Sequence, residues 1–362
     1  MLEPVLEAYG FTHDCLITPF GNGLINHTWR IKNDNNNYIL QRINNDVFKK
    51  PQLIAENISM ISEFLSVNYP DYFFCTPVKT IHGNDIFYAP QLGYFRVFPF
   101  VKNSRNVNVV TNPKQAFQAA KKFGEFTRLL SAFPVNKLHI TLKDFHNLSL
   151  RYNTFQSAIK NENKKRIKKS MQLIDFLEAE KNIVDEFEVI KSSADFLLRV
   201  THHDTKISNV LFDEADNGIC VIDLDTIMPG YFISDVGDML RTYLSPVSEE
   251  ERDFAKIEIR EDYFEAIVKG YLSEMKNILT FSEVQHFVYA GKFMLYMQSL
   301  RFLSDYLNND IYYGSKYEDH NFIRAQNQAH LLKLVYKKEP HLKLIVEKTF
   351  SNMQLTSVTN QE

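Results

Sequence analysis

Residues 196–238 read FLLRVTHHDTKISNVLFDEADNGICVIDLDTIMPGYFISDVGD. An apolar run ends at Val200, and a polar cluster follows: His202, His203, Asp204, Thr205, Lys206 and Asn209. Val210-Leu211-Phe212 then turns through Asp216-Asn217-Gly218 into a second apolar stretch, Ile219-Cys220-Val221-Ile222, which ends in Asp223-Leu224-Asp225. Turn residues between two short apolar runs predict a β-hairpin, with a further strand over Ala194–Val200. A hairpin carries the end of its second strand back to the loop that opened its first. Asp204, Asn209 and Asp223 therefore converge on one site.

That set has a chemistry. Magnesium takes oxygen ligands, often one or two carboxylates completed by substrate phosphates. Asn209 and Asp223 supply an amide oxygen and a carboxylate, which leaves Asp204 free to take a proton from a hydroxyl nucleophile. Lys206 can direct positive charge at a phosphoryl group in transfer. Phosphoryl-transfer sites divide the labour in this way, with an Asp as base and a nearby Asn and Asp on the metal. Ordinary explanations stand beside this one. Asp and Asn favour turns, a surface lysine needs no role, His202 reads as a loop brace and His203 as a loop residue without a role. Asp235 and Asp238, in SDVGDML, read as a helix cap and a brace.

Upstream, residues 1–100 are mostly strand-like. Leu16–Phe20 leads into Gly21-Asn22-Gly23, and Thr28–Lys32 and Tyr38–Ile43 flank an asparagine turn. Pro51 opens a helix with Leu53, Ile54, Ile58, Ile61 and Leu65 on one face. A turn at His82–Asp85 and the stretch Gly93–Phe98 complete a small sheet. After Phe100 the chain turns helical, first over Lys114–Phe133 and again from Glu249 onward, and the basic run Lys160–Lys169 reads as a solvated helix face. The chain has 362 residues, 41 Lys and Arg against 44 Asp and Glu. That balance gives no basic footprint for nucleic acid. Three scattered cysteines form neither a disulfide framework nor a zinc cluster. No apolar run is long enough for a membrane helix, and the acidic first residues do not read as a signal peptide. A soluble, cytoplasmic protein is expected. P-loop, HExxH and GxSxG motifs are missing, and no spacing marks a glycosidase acid pair.

His202-x-Asp204-x4-Asn209, followed by Ile222-Asp223, resembles the catalytic signature of the aminoglycoside phosphotransferase and choline kinase superfamily. GNGLINHTWRI, YILQRIN, HHDTKISNVLFD, VIDLDTIMPG and RFLSDYLNNDIYY carry the likeness closest to N-acetylhexosamine 1-kinases. The resemblance implies an α+β, protein-kinase-like fold of two lobes. Residues 1–100 would be a β-rich nucleotide lobe with one main helix, residues 98–103 the hinge, and residues 104–362 a helical catalytic and acceptor lobe. It implies ATP as co-substrate and Mg2+ as the metal. Asp204, with Lys206, would act on the acceptor hydroxyl, while Asn209 and Asp223 would hold the metal. Asp225 would be a second metal ligand or a loop acid. Gly21, Asn22, Gly23 and Asn26 would cover the nucleotide phosphates, and the backbone of Phe98–Val101, Phe98 and Phe100 included, would meet the adenine.

One position departs from the superfamily, which commonly carries a Lys or Arg on the third strand. Here YILQRIN offers Gln41, with Arg42 on the opposite face. Either the register is one residue off and Arg42 faces the nucleotide, or Gln41 contacts the nucleotide and the charge comes from elsewhere, with Glu56 as the partner of whichever basic residue serves. Arg301 and Asp305 fall four apart on one helix face, where they either line the sugar pocket or form an exposed ion pair. The expected reaction phosphorylates the anomeric hydroxyl of an N-acetylhexosamine. Its alternatives are a kinase of choline, homoserine or an aminoglycoside, and a nucleotide-binding regulator without turnover. Oligomeric state is left open.

Overall fold

The computed structural model describes residues 2–12, 14–21, 25–33, 36–161 and 163–359. A short helix, α1 (Glu3–Ala8), precedes a five-stranded antiparallel sheet. Its strands are β1 (Leu16–Pro19), β2 (His27–Asn33), β3 (Asn36–Ile43), β4 (Phe87–Ala89) and β5 (Gly93–Pro99), in the spatial order β1-β2-β3-β5-β4. Helix α2 (Pro51–Asn68) lies between β3 and β4 in the chain, with Pro51 at a first-turn position that needs no N–H donor.

Alternation along the strands gives the sheet two faces. Trp29, Ile31, Tyr38, Leu40, Phe95 and Val97 pack with Val5 and Leu6 of α1, a helix the periodicity of so short a segment does not reveal. The other face carries Gln41 and Arg96, which are opposite one another in the β3–β5 register. Ile43 on that face joins Ile54, Ile58, Ile61 and Leu65 of α2 in the main core. Each of those four α2 side chains is essentially buried, which at the upper bound stabilises by about 1.5–3 kcal/mol apiece.

The remainder is helical around three short strand pairings. In chain order it comprises β6 (Arg105–Asn106), α3 (Pro113–Leu129), α4 (Leu148–Asn161), α5 (Lys164–Ala179), α6 (Asn182–Ser192) and β7 (Arg199–Thr201). Then come β8 (Val210–Phe212), β9 (Gly218–Val221), β10 (Met228–Gly230), α7 (Phe232–Tyr243), α8 (Glu261–Met275), α9 (Phe281–Gln285), α10 (Phe287–Leu307) and α11 (His320–Thr359). Strands β6, β8 and β9 form one small sheet, and β7 pairs with β10. Helix α10 is the buried axis, with α4, α7 and α11 packed around it. Helices α3 and α8 meet where Gly270 has no side chain; a methyl there would fall 2.2 Å from the Phe117 carbonyl. The strand expected over Ala194–Val200 shortens to Arg199–Thr201 because residues 194–196 are held in a turn. Glu283 accepts the Leu197 amide at 3.2 Å and pairs with Arg199 in the core. Lys164, Lys165, Lys168 and Lys169 of the basic run are exposed on α5. Among the described residues no helix is long and apolar enough to cross a membrane.

Candidate active site

The loop between β7 and β8 is built around Asp235, in the first turn of α7. Its carboxylate accepts the backbone amides of His202 and His203 at 3.1 and 2.7 Å, and its carbonyl accepts Thr205 Oγ1 at 2.7 Å. Burial pushes the Asp235 carboxyl up to about 6, against the pull of His202 and the two amides. The His202 ring closes the other side. Its Nδ1 accepts the Asp204 amide at 3.3 Å, which leaves the Nε2–H to donate to the Ile222 carbonyl at 3.0 Å. His202 thus ties the loop to the end of β9. His203 has left-handed backbone (φ 67) and is 95% buried, against the sequence expectation of an idle loop residue. A methyl at Gly230 would fall 2.4 Å from its ring, so β10 must carry glycine there.

This frame brings Asp204, Lys206, Asn209 and Asp223 together. Lys206 Nζ donates to Asp204 Oδ2 at 2.8 Å and lies 3.9 Å from Asp223 Oδ2. Burial works against charge on Asp204, but the Lys206 ammonium outweighs it and holds the carboxyl below its usual range. Asn209, itself buried, donates its Nδ2 to the Asp204 carbonyl at 2.8 Å, a bond that leaves its Oδ1 uncommitted. The Asn209 carbonyl in turn accepts the Ile222 amide at 2.9 Å, stapling the hairpin. Asp223 itself sits in the left-handed region (φ 61), a conformation Asp tolerates better than most residues. Burial and the neighbouring Asp225 and Asp204 charges raise its carboxyl to about 6. One amide oxygen and one crowded carboxylate suit a hard cation whose remaining ligands are phosphates and water. Among the described residues no three His, Cys, Asp or Glu side chains gather into a cage of their own.

On the sheet side of the site, Asp225 has protein partners on both carboxylate oxygens. It is 98% buried, with Arg96 NH1 2.5 Å from Oδ1 and Asn26 Nδ2 2.7 Å from Oδ2. Asn26 also accepts the Asn44 amide at 3.0 Å. Arg96 Nε and NH2 both donate to Gln41 Oε1, at 3.0 and 2.8 Å. The charge missing at position 41 is therefore next door on β5. Sequence reading passed over Arg96, whose one signal is a lone charge inside the apolar run YFRVF. Arg42 is exposed on the other face, toward the α1 side. Glu56 does not partner a strand cation; it pairs with His139 at 2.7 Å, half exposed. Gly21 has φ +75 and open space around it, while Asn22 and Gly23 lie outside the described residues. Phe98 and Phe100 are half-buried, each under an arginine: Arg96 at 5.0 Å and Arg30 at 4.6 Å. The Phe100 amide, expected to face adenine, is already given to the Asn37 carbonyl at 3.0 Å.

The helical side of the cleft separates Arg301 from Asp305. Asp305 is 95% buried, and its carboxylate accepts the amides of Tyr312 and Tyr313 at 2.7 and 2.9 Å and Asn321 Nδ2 at 3.1 Å. It is neither a pocket residue nor the ion-pair partner of Arg301, because two backbone donors from its own following loop claim it. Arg301 makes no hydrogen bond or ion pair among the described residues. Its guanidinium lies 5.8 Å from the Phe145 ring and 5.6 Å from that of Tyr313. Phe145 stacks on His146, whose Nδ1 is 3.4 Å from that of His203, one residue before Asp204. Burial first, then the charges of His203, Arg301, Arg241 and Arg151, keep His146 neutral, well below its ordinary value. Arg324 covers the Phe302 ring at 3.7 Å and is paired with Glu249, which also takes Arg241 at 2.7 Å.

The profile of a family described as "Phosphotransferase enzyme family" matches residues 16–271. Solved structures share the fold at low identity. An amicoumacin kinase in complex with AMP-PNP and Ca2+ is 15% identical, with a TM-score of 0.62 and 92% of each chain covered. A microcompartment-associated aminopropanol kinase is 14% identical, with a TM-score of 0.64 over 95% of this chain and 98% of that one. The ethanolamine kinase of Plasmodium vivax is 15% identical, with a TM-score of 0.59 over 93% and 88%.

Proposed function

The chain belongs to the phosphotransferase enzyme family, and from that premise we propose an ATP-dependent small-molecule kinase whose acceptor is the anomeric hydroxyl of an N-acetylhexosamine, GlcNAc or GalNAc, with the sugar 1-phosphate as product. The observation that carries the reading is that the loop before β8 and the end of β9 bring Asp204, Lys206, Asn209 and Asp223 within ion-pair and hydrogen-bond reach. In this reading the nucleotide occupies the cleft between residues 1–100 and 104–362, with residues 98–103 as the hinge.

Asp204, held anionic beside Lys206, accepts a hydrogen bond from the sugar hydroxyl and aims its oxygen at the γ-phosphorus. Lys206 faces the equatorial phosphoryl oxygens as negative charge spreads over them. Asn209 Oδ1 and the Asp223 carboxylate would hold Mg2+. When bound, magnesium supplies neutralising charge to the phosphates. His202 and Asp235 contact no substrate; they fix the loop so that Asp204 need not reorganise during transfer.

Arg301 argues for a sugar over choline or another cationic alcohol. A quaternary or primary ammonium headgroup needs open ring faces and acidic neighbours. Here the rings beside the loop lie under Arg301 and Arg324, and the unpaired Arg301 guanidinium repels cations while offering donors to a hydroxyl or N-acetyl oxygen. The test is a coupled assay of MgATP consumption against N-acetylhexosamines, plain hexoses, amino alcohols and aminoglycosides, with the product analysed for phosphate at C1. Turnover with N-acetylhexosamine alone is expected. Turnover confined to amino alcohols or aminoglycosides would refute the acceptor assignment, and nucleotide binding without turnover on any acceptor would favour the regulator.

A further inference from the structure

Two side chains, Arg96 and Asn26, meet at the Asp225 carboxylate, and a third, Gln41, holds Arg96 from behind. Asp225 takes Arg96 on one oxygen and Asn26 on the other, and Gln41 takes the two remaining edges of the Arg96 guanidinium. The side chains of Arg96 and Asp225 are 1% and 3% exposed. A buried pair of this kind contributes little net stability, because the desolvation of both charges offsets their attraction. What it does well is fix position. Arg96 belongs to the sheet, Asn26 follows the glycine turn, and Asp225 lies in the short helical turn Leu224–Thr226 that begins right after Asp223. A shift of β5 against the helical lobe therefore moves Asp223, two residues away along a stiff turn.

Position 41 is where β3 faces Arg96, and an uncharged amide stands there. Gln41 accepts from Nε and NH2, which leaves NH1 as the one corner free to reach Asp225. The amide is an aiming device for the neighbour's charge. We propose that Arg96, aimed by Gln41, is the positioning residue that couples the nucleotide-binding sheet to the metal-side loop through Asp225. The inference rests on the reading of the site as a nucleotide site and goes beyond it by assigning the route of coupling.

The experiment measures equilibrium binding of MgATP to the full chain without acceptor, by calorimetry, alongside cooperative thermal unfolding. The wild type is compared with Arg96→Gln, Arg96→Lys and the double variant Gln41→Lys/Arg96→Gln. Loosening of the Asp225 turn, and with it of Asp223, predicts roughly 10- to 100-fold weaker MgATP binding in Arg96→Gln. Arg96→Lys should fall between it and the wild type. The double variant should recover most of the affinity, since a lysine at 41 restores a cation opposite Asp225 from the adjacent strand. A purely structural pair would shift the melting temperature and leave the affinity of the folded protein unchanged, and that result overturns the proposal. Should Arg96→Gln fail to fold, the other two variants decide: a folded double variant that binds no better than one-hundredth of wild type also overturns it. Failure of the wild type itself to bind MgATP would instead sink the nucleotide reading, a distinct outcome.

Discussion

The sheet side and the helical side of the candidate site handle positive charge in opposite ways. At the sheet end Arg96 is buried, aimed by Gln41 and neutralised by Asp225. At the helical end Arg301 is half-buried, rests against aromatic rings and has no polar partner among the described residues. A satisfied buried cation holds parts of a protein in register, whereas an unsatisfied one beside a catalytic loop is an invitation to a ligand. The contrast also separates neighbours on one helix: Arg301 rests near the Phe145 and Tyr313 rings, and Asp305 is spent on the loop that follows.

Substitutions can break or sharpen this contrast. Asp204→Ala should lower kcat on the order of 10²- to 10⁴-fold with MgATP affinity kept, as loss of a positioned base does; single-turnover kinetics and calorimetry check the split. Asp305→Ala strands the Tyr312 and Tyr313 amides and Asn321, at a cost of about 3–4 kcal/mol in denaturant unfolding. His203 supplies a pH test. Burial holds its imidazole down at about 4 from an ordinary 6.5, so as pH falls through that window the unfolded chain gains a proton that the folded chain refuses. Stability is present above 6.5 and is lost on the way to 4, by about 3 kcal/mol relative to His203→Asn. Asp235, raised to about 6, acts with the opposite sign, which is why the comparison is made against the variant and not read from the wild type alone. Arg301→Ala should raise the acceptor KM about 10- to 100-fold and leave the melting temperature in place, the reverse of Asp305→Ala. Smallest is Glu56→Ala, whose exposed pair with His139 is worth under about 0.5 kcal/mol, with kcat unchanged.

The β8–β9 hairpin and the loop before it were readable because their information is local. Asp204, Asn209 and Asp223 lie within twenty residues, and turn chemistry alone folds them together. The antiparallel sheet and its crossing helix were readable for the same reason, from alternation and from the apolar stripe of α2. Arg96 was not, since only the pairing of β3 with β5 brings it to Gln41 across fifty-five positions. Asp305 misled in the opposite sense. Helical spacing does put it four residues from Arg301, but backbone donors a turn later outcompete a flexible guanidinium, and no local pattern announces them. Glu56 had the right helix and the wrong neighbour, because His139 arrives from a loop whose path the sequence does not specify.

The knot at Asp225 also has a history in time. Asn26 and Arg96 precede their shared carboxylate by 199 and 129 positions. At roughly 5–20 residues per second of synthesis, about 6–26 s separate the appearance of Arg96 from that of Asp225. Throughout that interval the nascent sheet carries a cation that its finished surroundings bury, with Gln41 as its hydrogen-bond acceptor from the same sheet. The sheet therefore cannot complete its inner face by itself. Its ordering waits for the turn after β9, so a later-translated segment locks an earlier one.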